Sequence, residues 1–236
     1  MNFLEKALNF IFPPICGICG RMTGTYLCKE CQTKIENEPV FLNKTDDYTI
    51  CCYTKWENIT NNINNSNTKY FSTHTYLFSY TTPIREKILQ YKFKEQAYLY
   101  NMFSEFFVKN EKLCGFLKKY DIIIPVPMTM KKVRKRGYNQ SELIAKQIAK
   151  NIPNLKLESH ILLKTKENKT QSSLNKKQRQ ENVKDVYKLQ NAEKIKEKNI
   201  ILFDDIYTTG ATVNECARVL KLGGANKIAV LTIAKD

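Results

Sequence analysis

The chain has 236 residues, enough for one α/β domain and a small appendage. Its 42% hydrophobic content excludes a disordered chain, and no apolar run approaches the length of a membrane span. The formal net charge is +15, from 38 Lys and Arg against 23 Asp and Glu, so the molecule attracts polyanions unless those lysines merely solvate its helices. The cations are not spread evenly. They crowd into residues 131–136 and 164–184.

Residues 1–12, MNFLEKALNFIF, are apolar on one face but carry Glu5. They lack the long apolar centre and small-residue cleavage site of a signal peptide. A short amphipathic helix ended by Pro13 and Pro14 is expected, on a chain kept in the cytoplasm, where thiols stay reduced. Cys16, Cys19, Cys28 and Cys31 then form C-x2-C twice in CGICGRMTGTYLCKEC. Four thiolates at this spacing, with Gly17 and Gly20 permitting a tight knuckle, suit tetrahedral Zn2+. Disulfides are the competing reading, against which the missing signal peptide argues. All four ligands come from the protein, so the zinc would be structural. It would dominate the stability of so small a module.

Cys51 and Cys52 are expected in a strand, YTICCYTKW, while Cys114 and Cys216 look like buried core thiols. Residues 58–69 are an Asn-rich linker, and the aromatics of 70–80 make a strand. Residues 83–107 have helical period through Ile84, Ile88, Leu89, Phe93, Met102, Phe103 and Phe106, with Pro83 in the first turn. Lys92 and Lys94 are candidate anion contacts, although a solvated face is the favoured reading. A buried strand at 120–126 stops at Pro125 and Pro127, and the cationic run 131–136 follows as a loop. Gly137 permits a turn into a helix over 138–149, with Leu143, Ile144 and Ile148 inward. Residues 160–163 form a short strand. The Lys-, Gln- and Ser-rich segment beyond it is a poor candidate for rigid packing. His74 and His160 have no metal partner nearby in sequence and are taken as structural.

Near the end of the chain, residues 199–203 are a short apolar strand, followed by Asp204 and Asp205 and by a hydroxyl-rich turn, Thr208, Thr209, Gly210, Ala211 and Thr212. Helical spacing runs from 213 to 222 and stops at Gly223-Gly224. Residues 227–234 are a final apolar strand. A Gly- and Thr-rich turn opening a helix gathers amide N–H groups and hydroxyls at the positive end of the helix dipole, so a phosphate is the expected guest. The acidic pair beside it suits ribose hydroxyls or a hydrated metal ion. Together they suggest a ribose 5-phosphate, against the plainer alternative of a capped helix. No Gly-Lys-Thr/Ser closes the loop, so this is not a Walker pattern. Strands alternating with helices give a parallel α/β sheet, with the ligand at the strand ends.

ILFDDIYTTGAT resembles the phosphoribosyl-pyrophosphate motif of type I phosphoribosyltransferases. YTTPIREKILQYKFK, the stretches VPM and RKRGYNQS, and Thr170, Gln171, Leu174, Arg179 and Asn182, the last four in the pattern Q-x-x-L then R-x-x-N, are similar to the ComF family of competence proteins. The resemblance spans nearly the whole chain. It implies an α/β parallel-sheet type I phosphoribosyltransferase core (residues 80–236), preceded by a four-cysteine zinc module (1–38) and a linker and strand region (39–79). Asp204 and Asp205 would hold the ribose hydroxyls and serve catalysis. Thr208, Thr209, Gly210, Ala211 and Thr212 would wrap the 5-phosphate, Arg136 and its neighbours would face pyrophosphate or another polyanion, and Mg2+ would come with the phosphoribosyl pyrophosphate. ComF proteins commonly begin with such cysteine pairs. Many also carry a further C-x2-C-G, which Cys51-Cys52 does not reproduce.

Two functions follow from this resemblance. One is a competence protein that binds phosphoribosyl pyrophosphate and single-stranded DNA alongside the uptake machinery. The other is a nucleobase phosphoribosyltransferase of salvage metabolism with no DNA role. For single-strand binding, Tyr138, Tyr207 and the aromatics of 70–80 are candidate platforms, with core packing the alternative role.

Overall fold

The computed structural model describes residues 13–37, 49–52, 68–94, 96–167 and 185–236, with the backbone alone for 36–37 and 49–52. Its centre is a six-stranded sheet. In chain order the sheet strands are β1 (Thr49–Cys52), β2 (Thr73–Ser79), β3 (Ile122–Pro125), β4 (Lys156–Leu157), β7 (Asn199–Tyr207) and β8 (Lys227–Lys235). A two-stranded hairpin, β5 (Leu162–Lys164) and β6 (Tyr187–Leu189), stands apart from it. The sheet order is β1-β2-β8-β7-β3-β4. β1 is antiparallel to β2 and the other five strands are parallel. IIIP in β3, NIILF in β7 and IAVLTIA in β8 are near-continuous apolar runs because a parallel sheet is covered on both faces.

One face packs helices α2 (Ile84–Phe93), α3 (Leu99–Val108), α4 (Glu111–Leu117) and α6 (Gln140–Asn151) against Ile123, Ile201, Phe203 and Leu231. The cysteine segment and its helix α1 (Lys29–Asn37) join this same core through Cys16, Leu27 and Ile35. On the other face, α7 (Ala211–Leu222) and the hairpin cover Ile200, Leu202, Ile228 and Val230. Successive residues of β7 and β8 alternate between these two cores, which fixes the register of the two strands.

Two expectations are corrected. The helical stretch 83–107 is two helices, because the polar run after Phe93 interrupts the apolar stripe and Lys94 leaves helical geometry at φ −116°. The cationic run is a helix, α5 (Met130–Arg136), and not a loop. Thr129 caps it by accepting from Lys132 N at 3.4 Å, Gly137 ends it at φ 86°, and its Arg and Lys residues gather in the last turn, where the dipole favours cations. Smaller shifts concern the second helix of this region, which starts at Gln140, and β5, which starts at Leu162. The expected helix at 1–12, most of the Asn-rich linker and Thr170, Gln171, Leu174, Arg179 and Asn182 lie outside the described residues.

His74 is fully buried in the sheet, with Nε2 3.0 Å from Thr232 Oγ1 and its ring stacked on Tyr207 at 4.1 Å. Among the described residues no helix is long and apolar enough to cross a membrane.

Candidate functional site

β3 ends at Pro125 opposite Phe203, so beyond that point β7 pairs with β8 alone among the described residues. The side of β7 left uncovered holds Asp204 and Asp205. The acid pair therefore belongs to the strand itself, at the carboxyl end where parallel sheets open a crevice. Asp204 accepts from Ser141 Oγ at 3.3 Å, in the first turn of α6, and from the Asp205 N–H at 2.9 Å. Asp205 is only 9% exposed and pairs with Lys92 Nζ at 2.8 Å. Burial, and then the charge of Asp205, push the Asp204 carboxyl up to about 7. Lys92 and the two hydrogen bonds pull the other way without prevailing.

The hydroxyl-rich turn follows directly. Gly210 sits at φ 74°, in the left-handed region, at the N-cap of α7, and makes no side-chain cap. A Cβ there would collide with the Tyr207 hydroxyl, so glycine is required twice over, by conformation and by space. Thr209 Oγ1 accepts from Ala211 N at 3.4 Å, and Asn214 N donates to Gly210 O at 2.9 Å. Asp204, Asp205, Thr208, Thr209, Gly210, Ala211 and Thr212 all line one crevice of about 240 Å3. The chain just before β2 is tied to it. Asn214 accepts from Tyr70 N and donates to Thr68 O, and Lys69 Nζ donates to Tyr207 Oη at 3.1 Å.

Arg136 lies in an adjoining crevice of about 210 Å3, which shares Lys92, Asp204, Asp205 and Thr212 with the first. Its other walls include Lys132, Lys164, Gln140 and Tyr187. Gln140 is 2% exposed and its Nε2 has no hydrogen-bond partner, so a buried donor borders this crevice. Such a group is costly unless a ligand oxygen meets it. Asn139 straps α6 to the end of β3, donating to Val126 O at 3.1 Å while its side chain accepts from Ser141 N. Tyr91 Oη donates to Gln140 O and Tyr138 Oη donates to Tyr91 O. These bonds hold α2 over the site and put Lys92 within reach of Asp205. Burial lowers the pKa of Lys164, brought in by the β5–β6 hairpin.

The structure therefore joins the acid pair, the hydroxyl-rich loop and Arg136 in two connected crevices. Tyr207, buried under His74 and Lys69, is not offered as a stacking platform, and Tyr138 is half-buried with its ring stacked on Tyr91 at 5.8 Å. Lys92 faces the site rather than solvent, against the favoured sequence reading. Gln140, Ser141 and Tyr187 join the site with no sequence expectation attached to them, and Lys164 only as the start of the cationic run 164–184. The first two carry a signal in the sequence, since they are the last two residues of the RKRGYNQS stretch, 134–141.

The cysteine cluster is separate. Cys16, Cys28 and Cys31 are buried and Cys19 is exposed, and all four Sγ atoms lie within 4.8 Å of one another. The Cys19–Cys28 separation is 3.9 Å, close to the ~3.8 Å that tetrahedral Zn–S bonds of about 2.3 Å impose. Gly20 N donates to Cys16 O at 2.8 Å, closing the first knuckle at φ 74°. Arg21 donates from Nε to Cys19 Sγ and pairs with Glu30, and its hydrogen bond holds the Cys19 thiol down to about 6. The donor set fits a closed Zn2+ site in which all ligands are thiolates.

No family model matches the chain. Over 162 residues it is 31% identical to competence protein F of Haemophilus influenzae, covering 66% of this chain and 69% of that protein. The chain belongs to the ComF family. Two more distant relatives extend the match along nearly the full length. Competence protein ComFC of Bacillus subtilis is 27% identical over 98% of this chain and 82% of its own. DNA utilization protein YhgH of Escherichia coli K12 is 24% identical over 94% and 90%. Among solved structures, a hypoxanthine phosphoribosyltransferase from Staphylococcus aureus overlaps this ComF chain with a TM-score of 0.37 at 14% identity. The overlap covers 57% of this chain and 64% of that one.

Proposed function

We propose that this ComF-family chain binds phosphoribosyl pyrophosphate together with Mg2+ and acts in DNA uptake in the cytoplasm, with single-stranded DNA as a partner. The observation that carries the reading is the pairing of Asp204 and Asp205 with the Gly210 loop in one crevice. Thr208, Thr209, Gly210, Ala211 and Thr212 hold the 5-phosphate at the start of α7. Asp204 and Asp205 hold the ribose hydroxyls. Arg136, with the unpartnered Gln140 amide beside it, meets pyrophosphate in the adjoining crevice. The acid pair and the anion crevice fit Mg2+ delivered on the pyrophosphate, where it would neutralise charge on the leaving oxygens. Cys16, Cys19, Cys28 and Cys31 hold a structural Zn2+. The names of the relatives, competence protein and DNA utilization protein, support the DNA role.

Phosphoribosyl pyrophosphate with Mg2+ is expected to raise Tm, and the double variant Asp204→Asn, Asp205→Asn to abolish the rise. An unchanged rise in that variant would defeat this assignment. Pyrophosphate release across a panel of nucleobases, with and without DNA, tests whether transfer occurs. A sloped salt dependence of oligonucleotide binding tests the DNA partner.

A further inference from the structure

Helix α5 contributes no buried residue, yet carries Lys131, Lys132, Arg134, Lys135 and Arg136. It is held in place at its ends, by the Thr129 cap and through Tyr138, rather than by an apolar face. Two of its cations, Lys132 and Arg136, line the anion crevice, and α2 ends at the mouth of that crevice with Phe93. Phe93 is 69% exposed, whereas Tyr91 and Ile88 on the same helix are fully buried. The Arg136 guanidinium lies over the Phe93 ring at 5.2 Å from its centroid. One face of the ring is thus occupied by a cation, and its exposure leaves the other face to solvent.

An open aromatic face beside a row of cations is the pairing that single-strand binding uses: bases stack, and phosphates are neutralised. We propose that Phe93 stacks a nucleobase of a single-stranded nucleic acid whose backbone runs along α5, so that the strand lies across the mouth of the sugar-phosphate crevice. A free nucleobase would have no use for the five cations of α5, because it carries no phosphate. The inference rests on the nucleic-acid partner proposed above and adds the residue that contacts a base.

The test uses the full-length, zinc-loaded protein and a fluorescein-labelled oligothymidylate of about twenty nucleotides, followed by anisotropy at low salt. Phe93→Ala is expected to weaken binding on the order of tenfold, Phe93→Leu by as much, and Phe93→Trp not at all. An abasic oligomer of the same length is expected to bind equally to wild type and Phe93→Ala. Arg134→Ala with Lys135→Ala is expected to flatten the salt slope, which Phe93→Ala leaves in place. Because Phe93 is exposed, each variant is expected to keep the wild-type Tm. Wild-type binding by Phe93→Ala or by Phe93→Leu overturns the proposal, as does an absence of oligomer binding to the wild type. The Mg2+-dependent Tm rise with phosphoribosyl pyrophosphate is measured on the wild type alone. If that rise is present while strand binding ignores Phe93, this inference fails and the sugar-phosphate reading stands. Phe93-dependent binding without the rise gives the reverse.

Discussion

The Lys92 ammonium lies 2.8 Å from Asp205 Oδ1, joining helix α2 to the last polar pair of the central strand. Both side chains are less than a fifth exposed, so the pair is shielded enough to matter for folding as well as for ligand binding. Lys92→Met leaves the Asp205 carboxylate buried without its partner and is expected to cost about 1–3 kcal/mol. Combining it with Asp205→Asn is expected to recover part of that loss. A denaturant double-mutant cycle measures the coupling, and additive losses would show that the two groups do not interact.

Asp204 gives a pH signature. Its ordinary pKa of 3.8 is pushed up to about 7 in the fold. As pH rises through that window the unfolded chain releases a proton that the folded chain keeps, so stability falls, and the full penalty is felt above pH about 7. Asp204→Asn removes the penalty. The variant is expected to melt above the wild type at pH about 8, by the equivalent of at most about 4 kcal/mol, and to lose this advantage by pH about 4. Thermal unfolding across that range checks the sign; an advantage that grows on acidification would contradict it.

Gly210→Ala places a methyl against the Tyr207 ring at a left-handed backbone position. The conformational part alone costs about 1–2 kcal/mol. Tyr207→Phe is not expected to rescue it, because ring carbons as well as the hydroxyl stand within 3 Å of the added atom. The measurable outcome is a lower Tm together with loss of the rise produced by phosphoribosyl pyrophosphate.

The cysteine cluster is expected to purify with one Zn2+ per chain, and a chelator or Cys28→Ser to lower Tm. Its effect should not stay local. A Cβ on Gly17 would lie 2.6 Å from Met102 Sδ and 2.9 Å from Leu99, so the first knuckle rests directly on α3. Hydrogen exchange after chelation is therefore expected to rise in α3 as well as in α1. Protection of α3 that is indifferent to the metal would show that the knuckle is only an attachment.

Much of this could be read from residue order. The strands at 122–125, 199–207 and 227–235 are apolar runs that admit few other structures, and the Gly-Gly after Leu222 marks a helix end. The cysteine spacing gave a cluster because its ligands lie within one short segment. The misses have a common cause. α5 has no apolar face, so periodicity had nothing to register, and only its cap and its terminal glycine mark it. The break between α2 and α3 lies in polar residues that either state would tolerate. Lys92, Gln140 and Lys164 reach the acid pair only through tertiary packing, by way of Tyr91, Asn139 and the hairpin, and no local pattern encodes that meeting.

A helix with five cations in seven residues and no buried side chain is under internal pressure, since neighbouring like charges push apart with little beyond the Arg136–Phe93 contact to oppose them. Added electrolyte relieves that pressure by shielding each charge from the next. The same shielding weakens attraction to any polyanion. Salt should thus act on this molecule in two opposite senses, firming the unliganded fold while loosening its hold on a strand, and the most adhesive form of the protein is also the one whose surface is least at rest.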